Sequence, residues 1–255
     1  MITLFTDLDH TLIFSHRSKP NTSCIPVEKL NGEVQSFMTK KTWNALSDLV
    51  GSGKLCVVPV TTRKKEQYVR LDYLTERMHI RYSLICNGAV LLVHGVVDPE
   101  WLSESVFIAK DQLEEVYKAE NELRVLCGRE RTYSPFNIMT YGVSDDAEQI
   151  IDNLRDIIDQ NKCFVSCDKR KIYCIPTSLN KGMAVKRFQK RFGYEKSVSA
   201  GDSEFDIPML LEADYAVFPE SLLSTELSDA RFPIGKGKIL SDALCDILQY
   251  IICAK

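Results

Sequence analysis

A chain of 255 residues with 45% hydrophobic and 26% charged side chains has room for one large domain, or for a core domain carrying an inserted second one. Its net charge of −3 gives no electrostatic footprint for nucleic acid or an acidic membrane, and no apolar run reaches the roughly 18 residues that span a bilayer. Nine cysteines, an odd number lying mostly in apolar stretches (Cys56, Cys86, Cys174, Cys245), look like reduced core thiols.

Cys163 and Cys167 stand too far in sequence from His79 or His94 to suggest a zinc site. The N-terminus goes straight into an apolar run, without a basic segment or cleavage site, so a cytoplasmic protein is expected.

In chain order, residues 2–7 read as a buried strand that ends in two carboxylates, Asp7 and Asp9. About 25 residues follow before the first helix, and within them Asn31-Gly32 lies between two partly apolar stretches. That is a strong two-residue hairpin signal and predicts a flap over 24–38. A helix over 40–50 ends at Gly51 and Gly53. Lys54 to Val60 is apolar throughout, as expected of a strand covered on both faces. A helix over 64–78 and a third strand, 83–86, continue an alternation that argues for a parallel sheet with right-handed crossovers.

The pattern then changes. Ala89 to Val97 looks like a hairpin turning at His94-Gly95. A long polar helix is predicted over 109–125, an extended piece over 132–142, and a helix over 145–159 that Ser144 would cap. Two short strands, 164–166 and 172–175, flank the charged run Asp168 to Lys171. From Lys181 the α/β rhythm resumes, with helices over 181–192, 206–212 and 239–252 and strands over 197–200 and 215–218. The reading is an α/β fold with a Rossmann-like parallel-sheet core in two pieces, 1–87 and 177–255, and an α+β domain over 88–176 inserted between them.

Ligand sites in open α/β sheets lie at the carboxyl ends of the strands. Those ends, with the helix that follows the insertion, supply Asp7 and Asp9, Thr61-Thr62-Arg63, Asn180-Lys181-Gly182, and Gly201-Asp202-Ser203-Glu204-Phe205-Asp206. Each segment alone has an ordinary reading: a turn, a helix cap, a surface charge. Together they are chemically coherent. Several carboxylates converging on one point need a cation, and oxygen-only ligands suit Mg²⁺. A lysine and a hydroxyl beside them would hold an anionic group such as a phosphoryl. Asp7 can then attack phosphorus, and Asp9 can give a proton to the leaving oxygen and take one from water.

DLDHTL, VTTR, NKG and GDSEFD, in that order and spacing, resemble the four motifs of the haloacid dehalogenase (HAD) superfamily. The insertion resembles the type-2 cap of its Cof-like and sucrose-phosphate-phosphatase-like members, and Cys86-Asn87-Gly88-Ala89 resembles the segment that opens that cap. FMTKKTWNAL followed by VVPVTTRKKEQY is similar to HAD proteins encoded beside bacterial tellurite-resistance genes.

The resemblance implies Asp7 as nucleophile, Asp9 as acid/base, and Thr61 and Lys181 as a phosphate clamp, with Thr62, Arg63, Asn87 and Gly88 near the substrate. It implies Mg²⁺ on Asp7, the main-chain carbonyl of Asp9 and Asp202, with Asp206 acting through water. Two positions depart from the family pattern: His10 stands where glycine is usual, and Phe205 where many members carry asparagine.

The implied function is a Mg²⁺-dependent phosphatase, monomeric or homodimeric, working on a small sugar-phosphate-like or nucleotide-like metabolite through an aspartyl-phosphate. The alternatives are a phosphomutase of the same superfamily or a non-catalytic binding or regulatory protein. Dehalogenation is disfavoured by Asp9. In the cap, Arg129, Arg131, Lys169, Arg170 and Lys171 are candidates for meeting a second anionic group of the substrate.

Overall fold

The structure is a computed structural model and describes residues 1–223, 227 and 231–253. The chain opens with β1 (Ile2–Thr6) and a short β2 (Phe14–Ser15), then β3 (Cys24–Leu30) and β4 (Glu33–Thr39), which lead into α1 (Lys40–Gly51) and β5 (Leu55–Pro59). After Arg63 come α2 (Lys65–Tyr68), a 3-10 turn (Val69–Leu71) and α3 (Asp72–Arg77), then β6 (Tyr82–Ile85), β7 (Val90–Val93) and β8 (Val96–Val97). The middle of the chain holds α4 (Pro99–Ala109), α5 (Leu113–Leu126), β9 (Thr132–Tyr133), β10 (Thr140–Val143), α6 (Ala147–Ile157), β11 (Cys163–Asp168) and β12 (Lys171–Pro176). The last part runs through α7 (Lys181–Phe192), β13 (Lys196–Ala200), α8 (Ile207–Glu212), β14 (Tyr215–Pro219), β15 (Arg231–Ile234) and α9 (Leu240–Cys253).

Two compact units emerge, Met1–Val97 with Lys181–Lys255, and Asp98–Asn180. The boundaries thus fall at 97/98 and 180/181 rather than at 87/88 and 176/177. The β7–β8 hairpin stays with the first unit because β7 pairs with β6 along its whole length.

The centre of the first unit is a parallel sheet in the order β15-β14-β13-β1-β5. β1 lies between β13 and β5, which accounts for burial at all five of its positions. The expected third core strand takes a different place. β6 belongs to a separate antiparallel sheet with β7 and β8 and meets the end of β5 through a parallel bridge between Val60 and Leu84. The helix expected over 64–78 is interrupted at Val69–Leu71 by the 3-10 turn.

β3 and β4 pair antiparallel around Asn31 (φ 51°) and Gly32 (φ 84°), the doubly positive geometry of a type I′ turn. With β2 they form a small sheet of order β2-β4-β3. Thr39 ends β4 and caps α1, its hydroxyl accepting from the Thr42 amide.

The second unit is an antiparallel sheet, β11-β12-β10-β9, with α5 and α6 contributing Val116, Ala119, Leu123, Ile150, Ile151 and Leu154 to one buried cluster. The helix expected over 109–125 is α5, starting four residues later, and a further, unexpected helix, α4, precedes it. The start signal for α4 is Asp98, whose carboxylate accepts from the Trp101 amide, followed by proline at the first helical position. Ser144 does not cap α6 directly. Its hydroxyl accepts from the Asp146 amide at 3.2 Å, and the helix begins at Ala147.

Candidate active site

β1, β5 and β13 run parallel with Thr6 level with both Pro59 and Ala200, so the residues that follow all emerge at one edge of the sheet. The edge is stitched by backbone: the Asp7 amide donates to the Ala200 carbonyl at 2.9 Å and the Val60 amide to the Thr6 carbonyl at 2.8 Å. His10 adopts φ 64°, the left-handed turn that histidine tolerates, so the departure from glycine leaves the loop after Asp9 intact.

Lys181, the first residue of α7, is 1% exposed and sends its ammonium 2.6 Å from Asp7 Oδ1 and 2.5 Å from Asp206 Oδ1. An ammonium is stable at that depth only when paired. Burial alone would lower its pKa, but the Asp206 and Asp7 carboxylates outweigh burial and hold it above the ordinary lysine value. Asp7 shows the opposite balance. Burial pushes its pKa well up, Lys181 opposes this, and the carboxylates of Asp206, Asp202 and Asp9 push further in the same direction as burial.

Asp206 is fully buried, with both oxygens engaged. Oδ1 accepts from Lys181, and Oδ2 accepts from the Asp202 amide, the Ser203 amide and the Ser203 hydroxyl, each at 3.0 Å. It therefore shapes the loop that carries Asp202. Asp202 itself is partly exposed, and its Oδ1 accepts from the Thr11 hydroxyl at 3.0 Å. Phe205, the second departure, is buried in the 3-10 turn between them.

Gly201 is required by close approach: a methyl there would sit 2.3 Å from Asp206 Cβ. Gly201→Ala is expected to push Asp206 out of place and to cost about 1–3 kcal/mol, read as a lower midpoint in denaturant unfolding.

Ligand oxygens of Asp7, Asp202 and Asp206 lie within 4.8 Å of one another. Three carboxylates, two of them buried, face one ammonium. An all-oxygen donor set of that kind fits a hard divalent cation.

Thr61 is buried, its hydroxyl accepting from the Arg63 amide at 3.2 Å. Its loop is braced by the β6–β7 turn. The Thr61 amide donates to the Leu84 carbonyl, the Asn87 amide to the Thr61 carbonyl, and the Cys86 amide to the Arg63 carbonyl. Cys86, Asn87 and Gly88 all have positive φ, and Asn87 and Gly88 are buried, so their observed work is to hold the Thr61 loop. Thr62 is partly exposed beside them.

Arg63 grips Asp9. Its Nε and Nη2 donate to the two Asp9 oxygens at 2.8 Å each, and Nη2 also donates to Glu28 Oε2 at 3.1 Å. In the second unit, Arg170 pairs with Asp145 at 2.7 Å, Lys169 forms the β11–β12 turn with φ 56°, Lys171 opens β12, and Arg129 and Arg131 lie in a 3-10 turn.

Residues 72–218 match the haloacid dehalogenase-like hydrolase family. The chain belongs to that family. The matched stretch contains Lys181, Asp202 and Asp206, while Asp7, Asp9 and Thr61 lie before it and join them through the geometry above. Among solved structures, this hydrolase is similar to a sucrose-phosphatase from Synechocystis sp. PCC6803 bound to sucrose and phosphate. Identity is 15%, coverage 98% of this chain and 97% of the other, and the TM-score 0.60.

It is similar as well to a HAD subclass IIB sugar phosphatase, at 16% identity, 98% and 99% coverage and a TM-score of 0.64. A haloacid dehalogenase-like hydrolase from Bacteroides thetaiotaomicron matches at 13% identity, 98% coverage of both chains and a TM-score of 0.57. At such identities the likeness is one of fold. No curated protein matches the chain, and none of these relatives bears on the resemblance to tellurite-associated proteins.

Three residues of the site had no role in the sequence reading of this hydrolase: Thr11, Ser203 and Glu28. Thr11 and Ser203 sit inside the quoted motifs, so a hydroxyl two residues after Asp9 or one after Asp202 was a usable signal. Glu28 is one of two glutamates in the β3–β4 hairpin, and nothing in the sequence marks it as buried.

Proposed function

We propose that this hydrolase is a Mg²⁺-dependent phosphatase that acts on a small phosphorylated metabolite through an aspartyl-phosphate. The observation that carries the reading is the Asp7–Lys181–Asp206 chain, with Asp202 beside it, at the carboxyl edge of the parallel sheet.

Asp7 Oδ attacks phosphorus, the bond to the leaving oxygen breaks, and Asp9 donates the proton that the leaving alkoxide takes up. Lys181 and the Thr61 hydroxyl hold phosphoryl oxygens while this happens. Asp9, now a carboxylate, accepts a proton from water as the water oxygen attacks the phosphoaspartate, releasing phosphate and restoring Asp7. Mg²⁺, held by Asp7, Asp202 and the Asp9 carbonyl with Asp206 behind them, would offset the repulsion between carboxylate and phosphate.

Sugar phosphates head the candidate substrates because two of the structural relatives are sugar-phosphate enzymes by name. Inorganic phosphate release over a panel of phosphorylated metabolites tests the reading. Chelation with EDTA is expected to abolish release, Mg²⁺ to restore it, and Ca²⁺ to restore it poorly because its larger, looser coordination misplaces the phosphoryl group. Full activity in EDTA overturns the metal assignment. Turnover only with a bisphosphate activator, with little free phosphate, identifies a mutase instead.

A further inference from the structure

The Arg63–Asp9 pair raises a difficulty for the phosphatase reading. Asp9 must reach the leaving oxygen, yet both of its oxygens are gripped by a guanidinium that is only 8% exposed. Removing the carboxylate from a buried arginine is costly, because it leaves an uncompensated charge.

A second carboxylate stands ready on the same guanidinium. Glu28 Oε2 accepts from Arg63 Nη2 at 3.1 Å and from the Ser36 hydroxyl at 2.6 Å, and Glu28 Oε1 pairs with Arg70 at 3.0 Å. The two carboxylates differ sharply in depth: the Asp9 side chain is 45% exposed and the Glu28 side chain 2%. One is placed to move and the other is fixed.

The backbone was bent to put Glu28 there. Consecutive residues of a strand face opposite ways, yet Val27 and Glu28 are both buried. The ladder between β3 and β4 slips on either side of Glu28, between Pro26 and Glu28 and again between Glu28 and Lys29. A bulge of this kind re-aims one side chain, and here it turns a glutamate toward Arg63.

We propose that Glu28 is a positioning residue for the leaving-group acid, holding Arg63 compensated when Asp9 turns from the arginine to the substrate. This rests on the phosphatase reading above. With Glu28 in place, release of Asp9 leaves a Glu28 carboxylate between two arginines. Without its charge, Asp9 is the only carboxylate on Arg63 and is released less readily.

The test compares two substrates by kcat/KM, which covers the steps up to departure of the leaving group. An alkyl phosphate (the best metabolite of the panel) needs a proton on its leaving oxygen, whereas 2,4-dinitrophenyl phosphate does not. Glu28→Gln is expected to lower kcat/KM for the alkyl phosphate about tenfold or more, within the range that general-acid catalysis contributes, and for the aryl phosphate by less than about twofold. Ser36→Ala, which removes one hydrogen bond from Glu28 and leaves both ion pairs, is expected to move the alkyl-to-aryl ratio the same way by a smaller amount. In an Asp9→Asn background Glu28→Gln should change neither value further.

Equal losses on both substrates, or a Glu28→Gln loss that persists undiminished with Asp9→Asn, overturn the proposal and make Glu28 merely structural. A wild-type protein that cleaves neither substrate overturns the phosphatase reading itself, a result distinct from equal losses in an active enzyme.

Discussion

Asp7→Asn is expected to abolish phosphate release while the protein stays folded and no less stable. The amide has nearly the shape of the carboxylate but does not attack phosphorus, so on the proposed mechanism the covalent route is lost. Removing a nucleophile that acts in concert with its neighbours typically costs on the order of 10⁶-fold in kcat.

The stability half of the result follows from the electrostatics. Burial and three nearby carboxylates push the Asp7 pKa well above the usual range, against the pull of Lys181, so its charge is held at a cost to the fold. Replacing that charge by a neutral amide removes the cost and leaves Lys181 paired with Asp206. Thermal unfolding of Asp7→Asn should show a Tm equal to or above that of the parent, the expected mark of a site kept for function against stability. Substantial residual turnover would exclude Asp7 as the nucleophile.

Lys181→Met should have the largest effect on stability. Methionine fills the same apolar path but leaves Asp7 and Asp206 without the ammonium between them, and breaking a buried pair from one side costs about 3–5 kcal/mol. For a chain of this size that corresponds to a fall in Tm on the order of 10 °C. Turnover should be lost with it, because on the proposed mechanism the phosphoryl group loses its cationic partner. Addition of Mg²⁺ is expected to recover part of the lost Tm by offsetting the orphaned carboxylates, an effect readable by calorimetry without any substrate. A Tm within about 1–2 °C of the parent would mean that the pair contributes little.

The parts of the molecule legible in its sequence are those where local chemistry repeats a general rule. Apolar runs ending in carboxylates, hydroxyls or Gly-Asp mark strands whose ends carry the candidate site, and β1, β5 and β13 deliver those ends to one edge. Asn31-Gly32 marked a hairpin because few residues accept two successive positive φ values.

The failures share a different cause. β6 reads as a core strand from its composition, but which sheet it joins is decided by partners distant in sequence. α4 was missed although Asp98-Pro99 announces it, because the hydrophobic pattern of the segment was weak. Glu28 was invisible for a further reason: a bulge, which depends on the register of two strands, converts an outward position into an inward one.

The order in which β1 finds its neighbours has a consequence for biosynthesis. Its register partners are Leu55–Pro59 on one side and Lys196–Ala200 on the other, so the second partner leaves the ribosome long after the first. Asp98–Asn180 is continuous in sequence and closes its contacts within itself, and contacts of short sequence separation form soonest. The nascent chain is therefore expected to carry β1 with one edge unpaired until β13, which lies between β1 and β14 in the finished sheet, is made. On the proposed mechanism the site is completed only late in translation, when Lys181, Asp202 and Asp206 arrive together from a stretch of fewer than 30 residues.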